Sequence, residues 1–290
     1  MHKKAEEQLG SIFSKIIERP EDHSCLSSRY SELKAAAKKQ LTRLYGESSL
    51  QSALLPNIGV INLPYFSMGN VDSVNLFDLD ELILFALYCQ VKDRYKNALD
   101  IGANIGLHSI IMAKLGFNVT AFEPDPIHYE KLLANTILNG VNNSIIPVNA
   151  AVSKYSGVSE FTRVIGNTTG SHLTTAKVGA YGKLEKFEVN VVNINSYASE
   201  TDFIKLDAEG EELNIIKGIN PELWSNIDMV AELGSQRNAL LALEYLESID
   251  VNIYSQKNNW QRVSTPELMP TNYKEGSVFI SRCHAIPWIN

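Results

Sequence analysis

The sequence is poor in cysteine, with only three in 290 residues. Cys25, Cys89 and Cys283 cannot all pair, and none stands in a C-x-x-C or Cys/His spacing. A disulfide framework and a zinc site of that type are therefore not expected, and reduced thiols in a cytoplasmic protein are. Cys89 lies in an apolar helical run, which suggests a core position. Long apolar runs are missing too. The longest, Leu82 to Cys89, falls well short of the ~20 residues that a membrane-spanning helix requires. No dense basic cluster is present, and 26 Lys and Arg against 33 Asp and Glu leave a formal charge of −7. Such a chain is a poor partner for the phosphate backbone of DNA or RNA. The richest basic stretch, Lys34 to Arg43, sits among alanines and reads as the solvated face of a helix. Met1 to Gln8 is charged rather than apolar, so no secretory signal is expected. Without one, the N-x-S/T triplets at Asn118, Asn142 and Asn167 carry no meaning. Repeats and low-complexity tracts are absent.

What is present is ordinary globular composition, 44% hydrophobic and 20% charged. The length suits one large domain with an extension. Residues 1–75 read as a helical and irregular N-terminal extension, a candidate cap over an acceptor. Residues 76–290 read as the main domain. In the extension, Leu9, Ile12, Phe13, Ile16 and Ile17 share one helical face over Glu6 to Glu18, and Pro20 ends that helix. A second helix is expected over Ser28 to Tyr45. Pro56, Gly59, Pro64 and Gly69 then mark loops and short strands up to Asn75. Asp78 with Glu81 resembles a capping box opening a helix that runs to about Val91.

From Asn97 onward, strand-like and helix-like segments alternate, the sign of a parallel sheet. Strands are expected at Ala98–Ile101, Val119–Glu123, Ile145–Val148, Phe203–Asp207, Met229–Leu233 and Val251–Tyr254. Helices are expected at Leu107–Leu115, Pro126–Asn139, Glu211–Gly218 and Gln236–Ile249. Asp125 and Pro126 fit a helix start, and Gly140 fits its stop. Between Gly157 and Tyr197, Val158–Val164 and Lys186–Val192 alternate like the strands of an inserted β-hairpin. Its tip, Asn167 to Thr175, is polar and turn-rich, as flexible lids often are. Ser277–Ser281 would supply a last antiparallel strand. The expected class is α/β and Rossmann-like, with a mostly parallel sheet, helices on both faces, the inserted hairpin and the helical extension.

Three segments carry candidate chemistry. Ala98 to His108 runs from a buried strand through a glycine turn into a helix. Gly102 permits a tight turn, Gly106 permits close approach, and the helix start offers free N–H groups. Asn104 stands where a dinucleotide fingerprint would place its second glycine, which argues against a pyrophosphate. Glu123 ends the next strand 17 positions after Gly106, where a nucleoside site places a carboxylate for the ribose hydroxyls. Lys205, Asp207 and Glu209 alternate along the fourth strand and its exit, so the first two share a side. Glu232 ends the fifth strand. If those strands are neighbours, the carboxylates converge at the carboxyl edge of the sheet, where open α/β sheets bind ligands.

Leu99-Asp-Ile-Gly-Ala-Asn-Ile-Gly106, Ala121-Phe-Glu-Pro-Asp125, Asn149-Ala-Ala-Val152 and Phe203-Ile-Lys-Leu-Asp-Ala-Glu-Gly-Glu-Glu212 with Lys217-Gly218 together resemble the FkbM family of methyltransferases. The resemblance runs from about Leu99 to Leu233, and Lys-x-Asp-x-Glu-Gly is its most specific element. The family usually has Val at position 208 and Ala at position 211, where this chain has Ala208 and Glu211. The resemblance implies S-adenosylmethionine as cofactor. Asp100, Gly102, Asn104 and Gly106 would hold its amino acid end and sulfonium region, Glu123 its ribose, and Asn149 and Ala150 its adenine. It also implies O-methylation of a small acceptor, a hydroxyl of a sugar, glycan or polyketide.

A sulfonium is already a good leaving group, so the protein must align the acceptor and help remove its proton. Asp207, Glu209 and Glu232 are candidates for that base, or oxygen ligands for a hard cation, although no spacing indicates a metal. Lys205 would orient a carboxylate. His108, near the same rim, is a further candidate base, as is His172 in the hairpin tip; His128 reads as a structural helix residue. Two other readings of the same residues are a nicotinamide-dependent oxidoreductase and a non-catalytic cofactor-binding scaffold.

Overall fold

The computed structural model describes residues 2–46, 52–176 and 182–287. The central sheet has eight strands: β3 (Asn97–Ile101), β4 (Asn118–Phe122), β5 (Ile145–Val148), β10 (Phe203–Leu206), β11 (Asp228–Ala231), β12 (Asn252–Ser255), β13 (Gln261–Arg262) and β14 (Val278–Ser281). Their order across the sheet is β13-β12-β14-β11-β10-β3-β4-β5. β11, β10, β3, β4 and β5 run parallel, while β14 inserts antiparallel between β11 and β12. This is a Rossmann-like arrangement whose first strand, β3, lies at its centre.

The burial pattern explains why these segments are strands. β10, β11, β12 and β14 are buried along their whole length, as strands covered on both faces must be. Alternate residues face different cores. Ala98, Phe203 and Val230 join the core that contains α3 (Leu79–Val91) and α4 (Leu107–Lys114). Leu99, Ile204 and Met229 join the core that contains α7 (Glu212–Gly218) and α8 (Gln236–Ser248). Asp100 pairs in register with Lys205, and by the same alternation both point to the α3/α4 side.

α5 (Pro126–Leu138) starts where the sequence suggests, since the Asp125 carboxylate accepts from Ile127 N at 2.9 Å. α8 is capped by Ser235, whose Oγ accepts from Asn238 N at 3.2 Å. The short α6 (Asn195–Ala198) precedes β10.

The insertion is a four-stranded sheet, larger than the hairpin expected. β7 (Gly157–Val164) and β9 (Leu184–Asn193) form that hairpin, β8 (His172–Leu173) pairs with β7, and β6 (Ala151–Ser153) pairs with β9. Residues 177–181 of the expected hairpin region lie outside the described residues.

In the extension, α1 (His2–Glu18) and α2 (Tyr30–Gly46) are followed by the hairpin of β1 (Ser52–Leu55) and β2 (Gly59–Asn62). Leu9, Phe13, Ile16, Leu41 and Leu44 share one core with α3 and α4. Trp260 Nε1 donates to His23 Nδ1 at 2.9 Å and Gln256 Nε2 donates to Asp80 at 2.9 Å, tying extension, α3 and sheet together. Among the described residues, no helix is long and apolar enough to cross a membrane.

Candidate active site

A cleft of about 1170 Å³ runs along the carboxyl ends of β3, β4, β10 and β11. At one end lies the turn after β3. Gly102 has φ 79°, and a Cβ there would stand 1.8 Å from the carbonyl oxygen of Asp207. Only glycine lets β3 and β10 end this close. Asn104, at φ 52°, lines the cleft, and its buried Oδ1 has no hydrogen-bond partner.

Glu123 faces the same end. Its carboxylate accepts from Asn104 N and from Asp125 N, both at 2.8 Å. Burial pushes its pKa up to about 8, against the partial relief of those two amides. The carboxylate is thus fixed by the backbone, with its remaining capacity turned to the cleft. Ala150 lines the cleft, whereas Asn149 does not. Asn149 instead donates to the carbonyls of Glu123 and Pro124 at 2.8 and 3.1 Å, pinning the loop that carries the carboxylate.

Asp100 and Gly106 do not reach the cleft wall. Asp100 is fully buried, accepting from Ser109 Oγ at 2.5 Å and standing 3.6 Å from Lys205 Nζ. Gly106, at φ 91°, begins α4 against Leu132.

The acidic cluster converges. β10 and β11 are neighbours, and Glu232 N donates to Leu206 O at 3.0 Å. Asp207, Glu209 and Glu232 all line the cleft. Lys205 Nζ sits beneath them, 3.7 Å from Asp207 Oδ2, and donates to Gly102 O at 3.3 Å. Burial works against the Lys205 charge, but Asp100, Asp207, Glu81 and Glu232 outweigh it and hold the ammonium protonated. Burial first, then Asp207, Glu81 and Glu209, drives Glu232 well above the usual carboxylate range.

The exit from β10 is shaped by Glu212. It accepts from Ala208 N at 3.0 Å and Gly210 N at 2.9 Å, holding Glu209 at φ 50°. Glu211, one of the two departures from the family pattern, accepts from Ser153 Oγ at 2.7 Å and ties this turn to β6.

Three residues behave differently from the sequence reading. Glu81 does not fold back as a capping box. Asp78 alone caps α3, accepting from Leu79 N at 2.8 Å, while Glu81 Oε2 meets His108 Nε2 at 2.9 Å and lines the cleft floor. His108 is not on the cleft wall, because it is buried behind Glu81 with Nδ1 on the Tyr88 hydroxyl at 2.8 Å. Lys34 is no simple solvated residue, since it contacts Asp78 at 2.8 Å and Asp80 at 3.2 Å and lines the cleft with Tyr30.

His128 and His172 both line the cleft, buried; His128 Nε2 meets Thr168 Oγ1 at 2.9 Å and His172 Nδ1 meets Gly170 O at 2.9 Å. Glu81, Tyr30 and Lys34 were not identifiable as site residues from sequence, since only tertiary packing brings α2 and α3 to the sheet edge. Among the described residues, no group of three or more His, Cys, Asp or Glu is arranged to hold a metal ion.

These features have counterparts in known proteins. Hexuronic acid methyltransferase AglP of Haloferax volcanii is 28% identical over 141 residues, 46% of this chain and 54% of that protein. Methyltransferase sdnD of Sordaria araneosa is 27% identical over 158 residues, 43% of this chain and 61% of that protein. The matched regions thus span less than two thirds of either relative. Among solved structures, the FkbM methyltransferase of Methylobacillus flagellatus KT is 18% identical with a TM-score of 0.41, over 93% of this chain and 58% of that one. The METTL16 MTase domain is 14% identical with a TM-score of 0.44, over 95% and 92%. The family model described as the Methyltransferase FkbM domain matches residues 100–261, from the buried aspartate of β3 through the glycine turn, Glu123 and the acidic strand ends to β13. With more than half its length inside that match, the chain belongs to the FkbM methyltransferase domain family.

Proposed function

We propose that this chain transfers the methyl group of S-adenosylmethionine to a hydroxyl of a small sugar- or polyketide-type acceptor. The observation that carries the reading is Glu123, a backbone-anchored carboxylate at the end of β4, facing the glycine turn across one continuous cleft. A carboxylate so held suits a pair of vicinal ribose hydroxyls. The residues fit such a cofactor in two further ways. The buried Asn104 Oδ1 lacks a partner that a ligand ammonium or amide would satisfy. Gly102 lets β3 and β10 end close together at the edge of the cleft where the ligand would lie.

Bound S-adenosylmethionine supplies an electrophilic methyl group with a neutral thioether as leaving group. The protein's own work is alignment and proton removal. Gly102 and Asn104 would grip the amino acid end, Glu123 the ribose, and Ala150 the base edge. Asp100 and Gly106 act from behind, by fixing Lys205 and the start of α4, and Asn149 acts by holding the Glu123 loop. Asp207, Glu209 and Glu232 would meet the acceptor hydroxyls, with Lys205 orienting Asp207.

The test is titration of the full chain with S-adenosylmethionine, S-adenosylhomocysteine and NAD, followed by turnover on a panel of methyl glycosides. Tight binding of the first two with methyl transfer to a hydroxyl is expected. Preferential NAD binding would overturn the reading.

A further inference from the structure

Three carboxylates at the cleft floor, Asp207, Glu232 and Glu81, come from three different elements, and their surroundings differ. Asp207 faces the Lys205 ammonium at 3.7 Å. Burial first, then the neighbouring Asp207, Glu81 and Glu209, pushes Glu232 well above the usual carboxylate range. Glu81, on α3, is the one whose carboxylate is in hydrogen-bond contact with an imidazole.

The Glu81–His108 contact is built with care. Glu81, Phe85 and Tyr88 follow one face of α3 and clasp the His108 ring of α4. The Phe85 ring meets it edge-on with centroids 5.1 Å apart, and the Tyr88 hydroxyl meets Nδ1 at 2.8 Å. Tyr88 is fully buried, and burial, followed by the charges of Asp100, Glu81 and Asp207, keeps its hydroxyl protonated. A buried O–H must donate, and Nδ1 is its acceptor. Nδ1 is therefore the accepting nitrogen, and the ring N–H at Nε2 is directed at Glu81.

We infer that Glu81 takes the proton from the acceptor hydroxyl, and that His108 and Tyr88 are positioning residues that hold its carboxylate toward the cleft. The inference rests on the methyl-transfer reading above. In the step, the acceptor oxygen forms a bond to the methyl carbon while the carbon–sulfur bond breaks and its electron pair stays on sulfur. The acceptor O–H bond breaks as its proton moves to the free oxygen of Glu81, which later returns it to water. An ordinary carboxylate suffices, because the oxygen becomes strongly acidic as it gains the methyl group. Burial opposes ionisation of Glu81, and the hydrogen bond from His108 Nε2 together with the Lys205 ammonium acts against it.

Two measurements on the full chain test this. In spectra of ¹⁵N-histidine-labelled protein, His108 should carry a proton on Nε2 and none on Nδ1, and Tyr88→Phe should convert it to a mixture of tautomers. A proton on Nδ1 in the parent chain would overturn the arrangement. In turnover with radiolabelled S-adenosylmethionine and methyl glycosides, Glu81→Gln should lower kcat by ~100-fold or more and leave S-adenosylhomocysteine affinity nearly unchanged. Tyr88→Phe should lower kcat more modestly, leave the KM for cofactor alone and displace the acid limb of the pH profile. A purely structural role would lower the melting temperature without moving that limb. Full activity in Glu81→Gln alongside an inactive Asp207→Asn would overturn the base assignment while leaving methyl transfer standing. Cofactor binding without transfer to any hydroxyl would instead overturn the acceptor reading, and the assignment of Glu81 with it.

Discussion

At the scale of single residues, Glu123 joins ligand binding to proton release. Its folded pKa, about 8, lies above the ordinary 4.5. The sign follows directly. Its contribution to stability is complete below the unfolded value and is lost as pH rises through about 8. The ligand-free chain should therefore lose melting temperature across that window, and S-adenosylmethionine should restore more of it at the alkaline end. Ribose hydroxyls favour the ionised carboxylate, so binding below about pH 8 should release a proton and strengthen as pH rises. Calorimetry in buffers of different ionisation enthalpy checks this, and a pH-independent affinity with no proton release would sink it. Glu123→Ala should weaken binding by roughly 1–3 kcal/mol in a protein that remains folded. Gly102→Ala should be far more damaging. Its methyl group would overlap the Asp207 carbonyl at 1.8 Å, so loss of soluble protein or of the cleft is expected by circular dichroism and titration.

At the scale of elements, a buried ion pair fastens the insertion to the start of α5. Arg163 Nε and Nη2 on β7 bind both oxygens of Asp125 at 2.6 Å, and Nη1 reaches Glu185 on β9 at 2.7 Å. Removing one partner of a buried pair costs ~3–5 kcal/mol, and Asp125 also caps α5. Arg163→Met should therefore produce a large fall in melting temperature, with Asp125→Asn costing less because the cap survives. Thermal melts of both variants decide it, and two unchanged curves would show the link to be idle.

The central strands and their helices were legible in the sequence because apolar runs and glycine turns are local signals. The boundaries shifted by a residue or two at Val119–Glu123 and Met229–Leu233; Glu123 and Glu232 lie just past the strand ends and line the cleft. β6 and β8 were not legible, since two- and three-residue strands have no periodicity of their own. Glu81 was misread for a related reason. Asp-x-x-Glu fits a capping box, and nothing local to α3 announces that His108 waits across the interface.

At the scale of the whole molecule, the net charge is −7, and acidic side chains outnumber basic ones along the cleft. Away from the glycine turn, Asp78, Asp80, Glu81, Asp207, Glu209 and Glu232 line the cleft, against Lys34, Lys274 and the Lys205 ammonium beneath them. Lys34 is already engaged by Asp78 and Asp80, and Lys274 lies over the Tyr273 ring at 5.7 Å. Juxtaposing like charges costs several kcal/mol. Neutral or amine-bearing glycosides should accordingly outcompete hexuronates by at least ~10-fold in kcat/KM, and a hexuronate preference in a direct competition assay would contradict this. The same charge predicts no salt-sensitive, sub-micromolar RNA binding in a filter assay.

The segment before α3 and the turn after β7 both border the cleft and are stitched to each other. Asn70 N donates to Gly166 O at 2.8 Å and Thr168 N donates to Met68 O at 2.9 Å. Gly69 approaches so closely that a Cβ would lie 2.2 Å from Gly166 O. The cleft is thus closed along that wall by a hydrogen-bonded seam. For the sugar acceptor proposed above, methylation should favour terminal residues of an oligosaccharide over internal ones, and equal methylation of both would show the seam to be no barrier. Mass spectrometry of methylated oligosaccharides reads this directly. The amides of Asn70 and Thr168, if slow to exchange with deuterium, will report how seldom the seam parts.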